Sequence, residues 1–321
     1  MTRALYAPWP EGARRTWGWA ALVLTLVSFA ASAVVILIGS AAYGFVLAMG
    51  GASSAEIQQR MTDDTLTFML PLLLCQFIVW GALVLGWARL FERRPLATLG
   101  FGSGAAGRYL LGVVLGLILV AAIGLAALAL GAAPEPSDAA GDAARAFPPA
   151  GAVLAVLLGC SVFLVQGAAE ELVFRGWLMS TLAARWGVAA AVIVSSLLFM
   201  VFHAHVFVSG VAFGLVALLG LGMTGLAFAL LCVLTRSVWE ATAAHGAFNA
   251  AAVGAPTLAL MFEDPTLSAK AAFAEVFARA TGMAGPESTS VGPETFAQAL
   301  AAGVISAVLA ALIARRARKR A

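Results

Sequence analysis

The chain has 321 residues, 62% hydrophobic and only 11% charged, with a formal net charge of +3. Soluble domains carry about 25% charged residues, so this composition excludes a soluble globular protein and points to a chain that crosses a membrane repeatedly. The small net charge is no nucleic-acid footprint, and Cys75, Cys160 and Cys232 lie far apart without C-x-x-C spacing, so they read as small buried apolar residues rather than a disulfide or metal framework.

A membrane span needs about 20 mostly apolar residues. Eight segments meet that measure, at 18–47, 66–90, 109–132, 151–182, 187–204, 210–234, 237–261 and 296–314. The first follows Arg14 and Arg15 and is too long for the roughly 7–15-residue core of a cleaved signal, so it is expected to stay as a span. Barrel strands would be alternating segments of about ten residues, whereas these are long and rich in Gly and Ala. The fold class expected is all-α, a polytopic integral membrane bundle of about eight transmembrane helices. Gly112/Gly116 and Gly210/Gly214 have the spacing that lets helices approach closely.

Charge between the spans alternates. Arg3, Arg14, Arg15, then Arg89, Arg93, Arg94 and Arg108, then Arg185, Arg236 and the run from Arg315 to Arg320 fall on one side. Asp63, Asp64, Glu135, Asp138, Asp142, Glu263, Asp264, Glu275, Glu287 and Glu294 fall on the other. Lys and Arg stay cytoplasmic, so both termini are expected in the cytoplasm of a bacterial inner membrane, the basic tail held against anionic lipid. The chain divides into an N-terminal two-span region with a basic cytoplasmic linker (1–108), a membrane core (109–261), an extracytoplasmic loop (262–295), and a last span with a basic tail (296–321). Loops 133–149 and 262–294 are rich in Pro, Gly, Ala and acids, and 271–280 reads as a short helix outside the membrane.

Polar residues within the spans concentrate in the fourth, fifth and seventh. The fourth contains G-A-A-E-E-L-V-F-R-G-W-L from Gly167 to Leu178. An ionisable group at such depth costs roughly 2.5–3.5 kcal/mol on insertion scales, which makes it a functional-site hypothesis. Arg175 is four residues beyond Glu171, so the two share a helix face and can pair. Glu170 points about 100° away and is left for chemistry. The plainer alternative is a buried ion pair that only locks helices.

Phe199 and His203 share a face of the fifth span, as His245 and Asn249 do on the seventh. Counted from the short turn at 185–187, Glu170 and His203 lie at nearly the same depth, whereas His245 is expected about 9 Å nearer the cytoplasmic side, within reach if helices tilt or break. His205 reads as a surface residue, and Glu240 as the partner of Arg236 four residues earlier. The G-S-G-A-A-G at 102–107 has no preceding strand and reads as a juxtamembrane loop, not a dinucleotide fingerprint. H-E-x-x-H and G-x-S-x-G are both missing.

E-E-x-x-x-R at 170–175, F-x-x-x-H at 199–203 and H-x-x-x-N at 245–249, with S-V-W at 237–239, together resemble the CPBP family, the CAAX proteases and bacteriocin-processing or immunity proteins also called the Abi family. The resemblance covers about 150–255, and R-R-P-L-A-T-L-G-F at 93–101 looks like the family's usual lead-in. Glu240 departs from it, since the family often has Pro there.

The resemblance implies an intramembrane glutamic endopeptidase without a cofactor. Glu170 would activate water with His203, while His245 and Asn249 would polarise the scissile carbonyl and stabilise its oxyanion. Glu171, Arg175 and Phe199 would support them. The partners implied are a membrane protein or peptide substrate and the bilayer, with no nucleic acid. Two alternatives keep the same residues. One is a zinc protease with Glu170, His203 and His245 as ligands. The other is a non-proteolytic scaffold or immunity protein that binds a partner in the polar cavity.

Overall fold

The computed structural model describes residues 4–132, 147–284 and 291–319, and among them every regular element is helical. In chain order these are α1 Gly18–Met49, α2 Ser54–Asp63, α3 Leu70–Gly86, α4 Ala105–Ala129, α5 Ala150–Glu171, α6 Met179–Trp186, α7 Val188–Phe202, α8 Val211–Thr235, α9 Trp239–Glu263, α10 Ala269–Ala280 and α11 Pro293–Arg318. A π-helical stretch, Thr65–Met69, leads into α3, and another, Leu172–Leu178, joins α5 to α6 without a break. Among the described residues six continuous helices are long and apolar enough to cross a membrane. The other two expected spans are α7, a shorter apolar helix, and α9, which has the length but carries Glu240, His245 and Asn249.

Turns fall where the backbone can leave the helix. Gly187 takes φ +84 between α6 and α7, a left-handed conformation that costs a residue with a Cβ about 1–2 kcal/mol. Arg236 accepts that strain, with φ +56 after α8. The turn sends its guanidinium to the carbonyls of Ala4 (3.0 Å) and Tyr6 (2.6 Å). Glu240 therefore pairs with Arg108 at 2.7 Å instead, which corrects the expected Arg236–Glu240 pair.

α9 runs through the middle, packed against α4, α5, α8 and α10, while α11 covers α8 and α4. Small residues set its closest neighbour. A Cβ on Gly112 would fall 2.3 Å from the Glu240 carbonyl oxygen, and one on Gly116 at 2.3 Å from that of Ala244. The expected role of Gly112/Gly116 is thus seen. Gly210/Gly214 acts differently: Gly210 opens α8 with φ +105, and Gly214 gives room to the Phe207 ring of the preceding turn.

Beside the site the core is aromatic. Phe174 meets Trp80, Phe199 and Phe202 edge-on at 5.3–5.6 Å between centroids. Helix α10 does not lie free: Phe273 and Phe277 are buried in a second core with Cys160, Phe163, Val253 and Met261. Lys270 at its start pairs with Asp64, which also accepts from Tyr43. Cys160 and Cys232 are buried, but Cys75 is exposed on the outer face of α3, against the expectation of three buried thiols. Large apolar side chains cover the outside of α1, α4 and α11, among them Leu37, Leu110 and Val308. On a soluble protein so much apolar surface would be a liability; on a membrane bundle it is the lipid face.

The basic segments gather at one end. Arg185 donates to the Arg15 carbonyl (2.8 Å) and Arg316, near the end of α11, to that of Leu234 (2.8 Å). Both ends of the described chain therefore lie at the same end of the bundle, as an even number of crossings requires. Arg3, Glu135, Asp138, Asp142, Glu287 and Arg320 lie outside the described residues.

Arg94 is more than a topology charge. It is fully buried and paired with Glu92 (3.2 Å). Ser180 and Thr181 accept from it, and Trp177 and Thr16 donate to Glu92. Burial pushes the Arg94 guanidinium down to about 10, against the pull of Glu92. This network ties the N-terminal segment to the helix that carries the site.

Candidate active site

The site exists because two helices touch backbone to backbone. A Cβ on Gly167 of α5 would lie 2.7 Å from the Gly246 nitrogen of α9, and one on Gly246 at 2.9 Å from the Leu164 Cα. Only paired glycines allow this approach. The crossing presses His245, the neighbour of Gly246, against the two glutamates that follow Gly167. His245 thus reaches the glutamates despite its offset in residue count, which treats helices as parallel to the membrane normal.

Glu171 and Arg175 form the inner half of the site, both fully buried and bonded at 2.9 Å. The same Glu171 Oε1 accepts from His245 Nδ1 at 2.9 Å. Arg175 Nη2 donates to the Gly225 carbonyl at 2.8 Å, and its guanidinium lies 4.4 Å from the centre of the Phe199 ring. Its carbonyl accepts from the Tyr6 hydroxyl at 3.0 Å. Arg175 sits within the π-helical stretch, whose wide turns occur disproportionately at functional positions. Every strong contact of this pair is internal, so it behaves as a charge-neutral brace.

Glu170 forms the outer half. Its Oε1 accepts from Gln166 at 3.0 Å. Its Oε2 is buried, has no hydrogen-bond partner among the described residues, and lies 3.8 Å from His245 Nε2. With Nδ1–H donated to Glu171, the ring directs Nε2 at Glu170. The Phe228 ring stacks on His245 at 5.1 Å, fixing its plane.

His203 caps α7 with Nδ1 2.9 Å from the Phe199 carbonyl oxygen, which it reaches as an N–H donor, leaving Nε2 as an acceptor. Its ring packs at 4.6 Å on the Phe199 ring, whose edge also meets His245 at 5.8 Å. Asn249 is half-buried one turn beyond His245 on α9, its amide without a hydrogen bond to the described residues. The structure thus brings Glu170, Glu171, Arg175, Phe199 and His245 into direct contact and reaches His203 through Phe199; Asn249 stands one turn away. His205 is exposed, as expected.

Gln166 was not singled out in the sequence, although an amide four residues before Glu170 in an apolar span was a usable signal. Gly225 contributes through a backbone carbonyl and Phe228 through an apolar ring, and neither has a sequence signature. Among the described residues no three of His, Cys, Asp and Glu converge as a metal-ligand set.

Residues 152–251 match a family model described as type II CAAX prenyl endopeptidase Rce1-like. No curated protein and no solved structure matches the chain. The matched segment contains all seven of the residues singled out in the three motifs and the glycine crossing that assembles them. The match runs from within α5 to within α9 and is consistent with the CPBP-type protease that the motifs resemble.

Proposed function

We propose that the protein is an intramembrane endopeptidase that cleaves a peptide bond in a membrane-associated or lipidated substrate, with Glu170 as the general base. The observation that carries this reading is the state of Glu170. Glu171 Oε2 and Arg175 Nε are also buried without a hydrogen bond, but those two residues neutralise each other at 2.9 Å, whereas Glu170 has no Lys or Arg partner among the described residues and its free Oε2 faces His245 Nε2 at 3.8 Å. A purely structural cluster needs the pair but not the extra carboxylate.

In the proposed step a water molecule between Glu170 and the substrate gives its proton to Glu170 as its oxygen attacks the scissile carbonyl carbon. His203 Nε2 accepts the water's second hydrogen bond and orients its lone pair. The Asn249 amide donates to the developing oxyanion, and His245 Nε2 does so when the ring carries both N–H groups, the other given to Glu171; such donors are worth about 3–4 kcal/mol each in a water-poor site. As the C–N bond breaks, the proton held by Glu170 passes to the leaving amine, so the products are a carboxylic acid and an amine. Gln166 holds Oε1 so that Oε2 is the reacting oxygen. No step is routed through a metal.

The basic end of the bundle is read as cytoplasmic, in a bacterial inner membrane, from the gathering of Arg94, Arg185, Arg236 and Arg316 there.

The test is Glu170→Gln, which keeps size and hydrogen bonding but removes the base. Peptides released from membranes containing the active protein are compared with those from the variant, alongside thermal unfolding of both. Proteolysis should fall by at least about 10²-fold with little change in unfolding temperature. Full biological activity in a well-folded Glu170→Gln protein would leave the binding scaffold as the better account.

A further inference from the structure

At the basic end, between the start of α4, the junction of α8 and α9, and the end of α11, lies an open cleft of about 560 Å³. Arg108, Glu240 and Arg316 line it with Gly104, Gly107 and Leu111. Glu240 is buried; its Oε1 accepts from Arg108, but its Oε2 has no hydrogen-bond partner. Across the cleft, α4 begins without a side-chain cap, its N-cap Gly104 at φ +77, and nothing lies within 4 Å of where a Cβ on Gly107 would be. The first-turn N–H groups of α4 and the exposed Arg316 are donors for an anion. The unpaired carboxylate oxygen calls for a donor of its own. A ligand that satisfies both has a phosphate and an N–H cation a few ångströms apart.

The cleft also opens onto an apolar surface. Leu111 lines it, and Val114 and Ile118 continue its face down α4, all about half exposed. Val308 and Leu312 precede Arg316 at four-residue spacing on α11, which packs beside α4. Two apolar rows therefore lead from a polar cleft down the outside of the bundle. A soluble phosphate ester has no use for them.

We infer that this cleft is a headgroup site for a phospholipid bearing a primary amine, of the phosphatidylethanolamine class. The phosphate takes Arg316 and the α4 N-terminus, the ammonium takes Glu240 Oε2, and an acyl chain lies along α4 and α11. Phosphatidylcholine has the same phosphate and charge, but its quaternary ammonium has no N–H to offer Glu240. Glu240 also stands on the helix that carries His245 and packs on Gly112, so the headgroup braces the start of α9. The inference is independent of the protease reading.

The experiment is a titration of delipidated full-length protein in detergent with dioleoyl phosphatidylethanolamine, dioleoyl phosphatidylcholine or free phosphoethanolamine, with bound ligand counted by native mass spectrometry. Wild type should prefer the ethanolamine lipid over the choline lipid by about tenfold or more, the weight of one charge-assisted hydrogen bond. Glu240→Gln should remove most of that preference. Arg316→Ala and Gly107→Leu, which leave Glu240 in place, should weaken both lipids together. Equal binding of the two lipids by wild type, or a preference that survives Glu240→Gln, overturns the site. Free phosphoethanolamine binding as tightly as the lipid overturns the lipid assignment in favour of a soluble phosphate ester. Thermal unfolding of each variant without lipid serves as the folding control; should Glu240→Gln not fold, loss of ethanolamine-lipid binding in folded Gly107→Leu supports the site and undiminished binding there refutes it.

Discussion

Replacing Gly167 by alanine places one methyl group between two backbones. The new Cβ would sit 2.7 Å from the Gly246 nitrogen and 3.0 Å from its Cα, whereas ordinary contact begins near 3.4 Å. The obstacle is main chain, so no side-chain rotation relieves it and α9 must retreat from α5 by about 0.7 Å. Taken along the line of contact, that retreat stretches the His245–Glu171 bond from 2.9 Å to roughly 3.6 Å, beyond hydrogen-bonding range. Overpacking of this kind costs about 1–3 kcal/mol of stability. The catalytic cost is larger, since a misplacement of about 1 Å can lower a rate about 10²-fold. The assay pairs thermal unfolding of purified protein with peptide release from membranes. Gly124→Ala on α4, where nothing lies within 4 Å, is the control and should be neutral or slightly stabilising. Wild-type turnover and stability in Gly167→Ala would show that the two helices are not held together by this crossing.

Four further outcomes follow from the geometry. Arg175→Ala leaves Glu171 buried with only His245 as partner and should cost about 3–5 kcal/mol, seen as a lower unfolding temperature and lower expression; a variant as stable as wild type would contradict the brace. Asp64 is held below the usual carboxylate range, first by Lys270 and then by Tyr43. Its folded value is depressed, so its contribution is present above about pH 4 and lost as pH falls through the folded value. Hydrogen-exchange protection of α10, taken relative to the intrinsic rate at each pH, should therefore fall on acidification in wild type, and in Asp64→Asn should be lower already at neutral pH with a flatter pH response. Reporter fusions at Ala106 and Arg320 should read cytoplasmic and those at Asp138 and Glu275 the opposite side; a cytoplasmic Glu275 would break the eight-span topology. Purified active protein should contain well under one equivalent of zinc and keep turning over in chelator, and a stoichiometric zinc lost on His203→Ala would replace the water-activation scheme.

Two kinds of information were legible in the chain itself, and both are local. Transfer to a membrane depends on the composition of about twenty consecutive residues, so the six long apolar helices and the shorter α7 could be read from hydropathy, while α9 is a helix of the expected length without their apolar character. Neighbours one turn apart share a helix face whatever surrounds them, so Glu171–Arg175 and Phe199–His203 were visible from spacing and are in contact. Contacts between helices were not legible, because they depend on tilt and on which backbones come closest. The motifs grouped His245 with Glu170, but spacing alone does not bring them into contact; that follows from the Gly167–Gly246 crossing between residues far apart in sequence. Glu240 looked paired with the arginine one turn away, but the left-handed turn at Arg236 sent that guanidinium to the N-terminal segment and left Glu240 to Arg108. Arg94 looked like one more charge in a basic loop, and folding placed it, dehydrated, behind Trp177 with Glu92. The identity of the ionisable residues and their order along the chain were set by sequence alone. Spacing along one helix already paired Glu171 with Arg175 and left Glu170 over; that both carboxylates meet the His245 ring was decided by helix packing, because a charge in a low-dielectric interior takes its character from the groups within a few ångströms of it.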